Sequence, residues 1–261
     1  VSCILVTYVA SINQYFSIYK KTYYTAKIAA AMNMTRTQTI AGGAVFGAVS
    51  IAISLLHLGV PFLPVPYLVF EFAEIPVIIS GMLFGPVGAL ISAAEYWGML
   101  QLIGQFAPIG PAAAFLGVGS TAVGVIFAAK VLHRLNIRPG IWGFSALAIV
   151  IGALIRAPVE TLVNFGILVY VAPGFAPFAA HSLGNFLGYQ LSPGTGLELV
   201  LVFTATFNII QTIVSVLPSA AVSELAILRL SGRRGQEYWL SRFTRVGSKK
   251  ADRSIEVTGS A

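Results

Sequence analysis

Residues 67–104 read YLVFEFAEIPVIISGMLFGPVGALISAAEYWGMLQLIG. The run is nearly all apolar, yet Glu71 and Glu74 stand near its start and Glu95 lies in its second half. As one helix its 38 residues would measure about 57 Å at ~1.5 Å per residue. That is far more than the ~30 Å hydrocarbon core of a bilayer, so the run must be two helices. Gly85-Pro86 is the natural break, because proline cannot continue a helix interior and glycine takes backbone angles other residues avoid.

Composition points the same way. The 261 residues are 57% hydrophobic and only 10% charged, with a mean hydropathy of +0.84. A soluble domain carries about 25% charged residues. This chain cannot cover itself with polar surface, so a bilayer must be its solvent. The net charge is +7, but residues 37–129 contain no Lys or Arg. That vacancy suits membrane spans with neutral outer loops and argues against nucleic-acid binding, which needs a basic face.

Four further apolar runs are long enough to cross: 39–58, 111–129, 141–170 with Pro158 inside it, and 197–225. The expected fold is an all-α integral membrane protein with six transmembrane helices. Charge placement sets the orientation. With the start of the first span inside, Lys20, Lys21, Lys27 and Arg36 are inside. So are Lys130, Arg134 and Arg138, and so is the group from Arg229 to Arg253. Only Arg156 falls within a span. The positive-inside rule therefore places the N- and C-termini in the cytoplasm. Five spans would put one basic cluster outside.

The expected division is an N-terminal extension over 1–36, a membrane domain over 37–228 and a basic cytoplasmic tail over 229–261. The extension reads either as an artefactual start, with Met32 or Met34 as the internal one, or as a weak extra span. In the tail, EYWLSRF (237–243) reads as a short interfacial helix with Trp239, Leu240 and Phe243 facing lipid.

Charged groups at membrane depth are costly and usually functional. Arg156 and Glu160 are spaced to pair along one helix face, and a structural salt bridge is the expected role. Glu95 either pairs with Arg156 or lines a cavity. Asn208 and Gln211 lie about one turn apart on one side of the last span, suited to a hydrogen-bonding ligand or to holding helices together. Cys3 is the only cysteine, so no cysteine-based metal set exists, and the three histidines form no HExxH pair. No metal site and no cofactor are expected. Neither a GxxxxGK[ST] loop nor a GxSxG elbow is present, and the chain reads as no enzyme. In the first span Gly43 and Gly47 recur every fourth residue, as do Ala44, Ala48 and Ala52. Small residues so spaced let helices approach closely, within the bundle or against another membrane protein.

Glu71-Phe72-Ala73-Glu74-Ile75-Pro76, then Gly81, Phe84-Gly85-Pro86 and Gly88, resembles the D-F-[S/G]-[D/E]-I-P…G…F-G-P…G signature of substrate-binding S components of energy-coupling-factor (ECF) vitamin transporters. GALIRAPVETLVNFGILVYVAP and TATFNIIQTIVSVLP resemble the fifth and sixth helices of the riboflavin-specific branch. The resemblance covers about residues 37–228. It implies a multi-pass protein of the cell membrane that captures a vitamin from outside. The partners it implies are a transmembrane coupling subunit and two ATPase subunits, which supply the energy. It carries ligand contacts to Glu74, Asn164, Asn208 and Gln211, with Glu71 at the first acidic position. Gln211 stands where that branch commonly has Lys. The Ala44, Ala48, Ala52 face, with Gly43 and Gly47, is similar to the branch's docking surface for the coupling subunit. Riboflavin is the expected transported ligand, with a related vitamin as the variant. The proline-rich GVPFLPVPYLVF (59–70) reads as a lid, with Phe62 and Tyr67 over an aromatic ring. The alternatives are a stand-alone carrier or channel, or an intramembrane enzyme using Glu71 and Glu74.

Overall fold

The computed structural model describes residues 34–104, 106–234 and 237–246. The expected extension, apart from its last residues, and the tail beyond residue 246 lie outside the described residues.

Helix α1 (Arg36–Leu55) opens on a capping box. The Gln38 backbone N–H donates to the Thr35 hydroxyl at 3.2 Å, and the Thr35 N–H donates to the Gln38 side-chain carbonyl at 3.0 Å. These bonds satisfy donors that every helix start leaves free. Two short antiparallel strands follow, β1 (Gly59–Pro61) and β2 (Val69–Glu71), with Val60 opposite Phe70. The lid segment is thus a hairpin. It takes the residues expected to begin the second span, so α2 (Glu74–Phe84) starts only at Glu74. Its 11 residues reach about 16 Å, too short for a crossing alone. Gly85, at φ +79°, ends α2, and Pro86 opens α3 (Pro86–Ile103) at its first position. Proline is favoured there because its missing N–H would be unpaired anyway.

Helices α4 (Ile109–Arg134) and α5 (Ile141–Gly166) make the broadest contact in the bundle. Gly124 and Gly152 bring their backbones together: a β carbon on Gly124 would lie 2.6 Å from the Gly152 nitrogen. α5 carries Pro158 without ending and runs into a π turn over Ile167–Val171. An unexpected helix, α6 (Phe175–Leu187), precedes the last span. That last helix, α7 (Pro193–Arg234), has 42 residues with Pro218 inside, well beyond the expected 197–225. Strong helix formers after Leu225 let it continue.

Among the described residues, four helices are long and apolar enough to cross a membrane: Arg36–Leu55, Ile109–Arg134, Ile141–Val171 and Gly194–Leu230. α2 and α3 occupy the second and third expected positions. Large apolar side chains point outward along the helices, among them Val45, Leu90, Leu154 and Leu162, as lipid contact requires. Inside, many small hydroxyls are fully buried, Ser92, Thr121, Ser145, Thr204 and Ser215 among them. Several donate to the carbonyl four residues back, as Ser145 does to Ile141 at 2.8 Å. An apolar solvent outside makes this polar packing tolerable, because no hydrophobic gain is lost by it.

The EYWLSRF segment does not face lipid. Leu240 is fully buried and Tyr238 nearly so. Trp239 covers Gly85, whose absent side chain leaves room for the indole, and rests against Phe243 at 4.8 Å. The Arg245 N–H donates to the Pro139 carbonyl at 3.0 Å. The segment closes the Gly85 end of the bundle, where its apolar side chains find core neighbours rather than lipid.

Candidate functional site

At the opposite end lies a cavity of about 560 Å³, within the ~300–1,000 Å³ range of small-molecule sites. The hairpin, the loop after α1, the start of α4, and α5, α6 and α7 all contribute to its wall. Its sides are apolar and aromatic: Leu58, Tyr67, Leu100, Phe106, Phe175 and Phe207. Its polar groups are few and come mostly from the hairpin, α2, α5 and α7: Glu71, Glu74, Arg156, Glu160, Asn164 and Asn208.

Helical period explains their grouping. Arg156, Glu160 and Asn164 are spaced by four on α5 and so share one face, and all three are buried. Glu74 sits in the first turn of α2, where the helix dipole favours a negative charge. Arg156 reaches it from α5 in a two-pronged ion pair, at 2.6 Å and 2.8 Å. The Arg156 Nε also donates to the Asn208 carbonyl at 2.9 Å, and Nη1 to the Thr121 hydroxyl at 3.0 Å. Ser215 of α7 gives Glu74 a further bond at 2.8 Å. This corrects the expected pairing: Arg156 bridges helices to Glu74 rather than running along α5 to Glu160. A fork-shaped guanidinium gains two parallel bonds that way. It also brings a positive charge to the acidic motif from α5, whereas the resemblance leads one to look for it at position 211.

Glu71 accepts from the Tyr96 hydroxyl at 2.7 Å. Burial lifts its carboxyl above the usual range, against the pull of that bond, and pushes the Tyr67 phenol up to about 12. Both residues belong to the hairpin segment, outside the helices. The two carboxylates have different partners, Glu71 the Tyr96 hydroxyl and Glu74 the Arg156 guanidinium. Among the described residues no group of three His, Cys, Asp or Glu side chains is placed to hold a metal ion.

Of the seven residues singled out for ligand contact, Glu71, Glu74, Tyr67, Asn164 and Asn208 line the cavity. Phe62 and Gln211 stand behind the wall. Phe62 packs among Phe70, Phe203 and Phe207, with ring centres 5.6–6.3 Å away. It holds the hairpin to α7. Gln211 is fully buried; its amide donates to the Glu71 backbone carbonyl at 3.0 Å and to the Ser215 hydroxyl at 3.2 Å. It anchors the hairpin to the last helix. Arg156 and Glu160, read from the sequence as a structural pair, are cavity residues. The signal was present in the four-residue spacing of Arg156, Glu160 and Asn164.

The small residues of α1 divide into two rows. Gly43 and Gly47 are buried against α3, with Gly43 close to Ile91 and Gly47 against the Glu95 carboxylate. Ala48 and Ala52 are exposed, and Ala44 is half-buried. The glycines serve internal packing, while the alanines face outward. Glu95 itself is exposed on α3; it neither pairs with Arg156 nor lines the cavity.

Over 89 residues the chain is 29% identical to the riboflavin transporter RibU of Staphylococcus aureus (strain TCH60). The match covers 34% of this chain and 47% of that protein, so it spans about half the length of the relative. No family model matches the chain. No solved structure matches it. The similarity and the four long apolar helices together mark a multi-pass membrane protein that resembles a vitamin transporter.

Proposed function

We propose that this chain is the membrane-embedded substrate-binding subunit of an ECF-type importer and that it captures riboflavin or a related vitamin from outside. The observation that carries this reading is the cavity. It combines aromatic walls with a few buried polar groups in a volume of about 560 Å³, which suits a flat heterocycle with a hydroxylated tail. The similarity to a riboflavin transporter supports the same ligand.

Six helices make up the membrane part in this reading, α1 to α5 and α7, with α2 too short to span it alone. The charge distribution supports the orientation. Lys130, Arg134 and Arg138 lie at or beyond the end of α4, on the side closed by the segment carrying Arg242 and Arg245. That side faces the cytoplasm by the positive-inside rule, and the cavity opens at the far side. Uptake then depends on a coupling subunit and two ATPases, because the chain has no P-loop of its own.

The direct test is riboflavin fluorescence. Protein purified in detergent is expected to carry extractable flavin and to quench added riboflavin saturably. If it does neither, the ligand assignment is wrong.

The coupling surface has its own test. Ala48 is exposed on α1, so Ala48→Leu adds bulk outside the bundle. We expect it to abolish co-purification with the coupling subunit while riboflavin binding stays at the level of the unaltered chain. Loss of both together would make this face internal packing.

A further inference from the structure

Three carboxylates line the cavity against one guanidinium: Glu71, Glu74 and Glu160 with Arg156. Two of the three are supplied with donors by the chain. Glu71 has the Tyr96 hydroxyl, and Glu74 has Arg156 twice and Ser215. Glu160 has none. Its side chain accepts no hydrogen bond from the described residues, although the residue is only 6% exposed. Its Oε1 is sealed beside Gly117, 3.3 Å from where a side chain there would begin, so Oε2 is the oxygen left open to the cavity. Arg156, one turn away, directs four of its five N–H hydrogens to Glu74, Thr121 and Asn208, and makes no hydrogen bond to Glu160 although its Nη2 lies by the same Gly117 position. A buried acceptor without a donor costs about 1–3 kcal/mol, more when charged. The donor missing at Oε2 is therefore expected from outside the chain.

Asn164 stands one turn further along the same face of α5. One hydrogen of its amide goes to the Glu160 backbone carbonyl at 2.9 Å. Its own carbonyl and its second hydrogen are not bonded to described residues. A carboxylate acceptor and a carboxamide donor thus stand side by side, about 6 Å apart at their β carbons. That pair complements an N–H next to a ring carbonyl. Phe175 and Phe207 belong to the cavity wall and give the ring aromatic neighbours.

We propose that Glu160 is the specificity-determining residue of this cavity and accepts a ring N–H of a planar ligand with a lactam or imide edge, while Asn164 donates to the adjacent carbonyl. This rests on the reading of the cavity as the ligand site.

The test pairs ligand and protein changes. The probes are riboflavin, its N3-methyl derivative, a pterin and a cyclic urea, measured by fluorescence or calorimetry on the full chain in detergent. A hydrogen bond to a charged acceptor corresponds to about 10–100-fold in affinity. The unaltered chain should bind riboflavin about that much more tightly than the N3-methyl form. Glu160→Leu should weaken riboflavin by a similar factor and leave the N3-methyl form little changed, so that the preference vanishes. Glu160→Gln, which keeps size and a neutral acceptor, should fall between. Equal binding of both flavins by the unaltered chain overturns the proposal whatever the variants do. So does a preference that survives in Glu160→Leu, or in Glu160→Gln should the leucine variant fail to fold. If flavins do not bind but the pterin or the urea does, and Glu160→Leu loses it, riboflavin is wrong and the role of Glu160 stands. Binding of none of the four probes overturns both.

Discussion

Arg156→Met is expected to destabilise the bundle by about 3–5 kcal/mol, the usual cost of removing one partner from a buried ion pair. Methionine has a comparable length but no donors. It leaves the Glu74 carboxylate, 3% exposed, with Ser215 as its remaining donor among the described bonds. The Asn208 carbonyl and the Thr121 hydroxyl oxygen lose the donor that Arg156 supplied. The check is an unfolding titration in detergent. The companion variant Glu74→Gln should also lose stability, because it leaves the guanidinium without its counter-charge. Combining the two removes both charges, and the double variant should recover much of the loss. A double-mutant cycle with no coupling would refute the interpretation of this pair as the lock between α2, α5 and α7. Ligand binding should fall with the single variants, since the same network places Asn208 at the cavity.

Gly124→Leu should be of similar severity. A side chain there would meet the Gly152 nitrogen at 2.6 Å, as well as its α carbon. Backbone does not move aside as a flexible side chain does. Gly152 in turn lies close to Thr212 of α7, 3.1 Å from the place where its own β carbon would be. Three helices therefore stack through this point. In lipid, helix association has little hydrophobic drive and depends on close packing. Overpacking costs about 1–3 kcal/mol at an ordinary site and more at a backbone crossing; here we expect at least about 3 kcal/mol, read as the denaturant needed to unfold the protein. Gly119→Leu on the same helix is the control, because nothing lies within 4 Å of that position. It should unfold like the unaltered chain. Equal loss in both variants would mean that helix propensity, and not the crossing, decides.

The two predictions concern residues that were visible in the sequence in different degrees. Gly85-Pro86 marked the α2–α3 break because backbone chemistry is local: a left-handed glycine followed by a proline ends one helix and starts another wherever it occurs. The apolar lengths marked α1, α4, α5 and α7 for the same reason. Helix α6 does not show as an apolar run of spanning length, although Pro173-Gly174 and Gly188 bracket it. Its 13 residues are too short for a span, and apolar length marks only helices that cross.

Arg156 shows the other side. Periodicity set Arg156 and Glu160 on one face, yet it named Glu160 as the partner. Sequence spacing ranks neighbours on the same helix only. It says nothing of a carboxylate 82 positions away that a helix packing angle brings into reach. The fate of Gln211 has the same cause: its side chain binds Glu71, 140 positions away, and is withdrawn from the cavity by that contact. The Gly and Ala rows of α1 were indistinguishable as patterns, and only the position of α3 turned the glycines inward. Solvent class, charge asymmetry and helix breaks thus follow from residues acting within a few positions of each other. Which polar groups pair, which face the cavity and which remain without a donor depend on helix-to-helix geometry, because a charge in a low-dielectric interior takes the best partner in space and not the nearest in the chain.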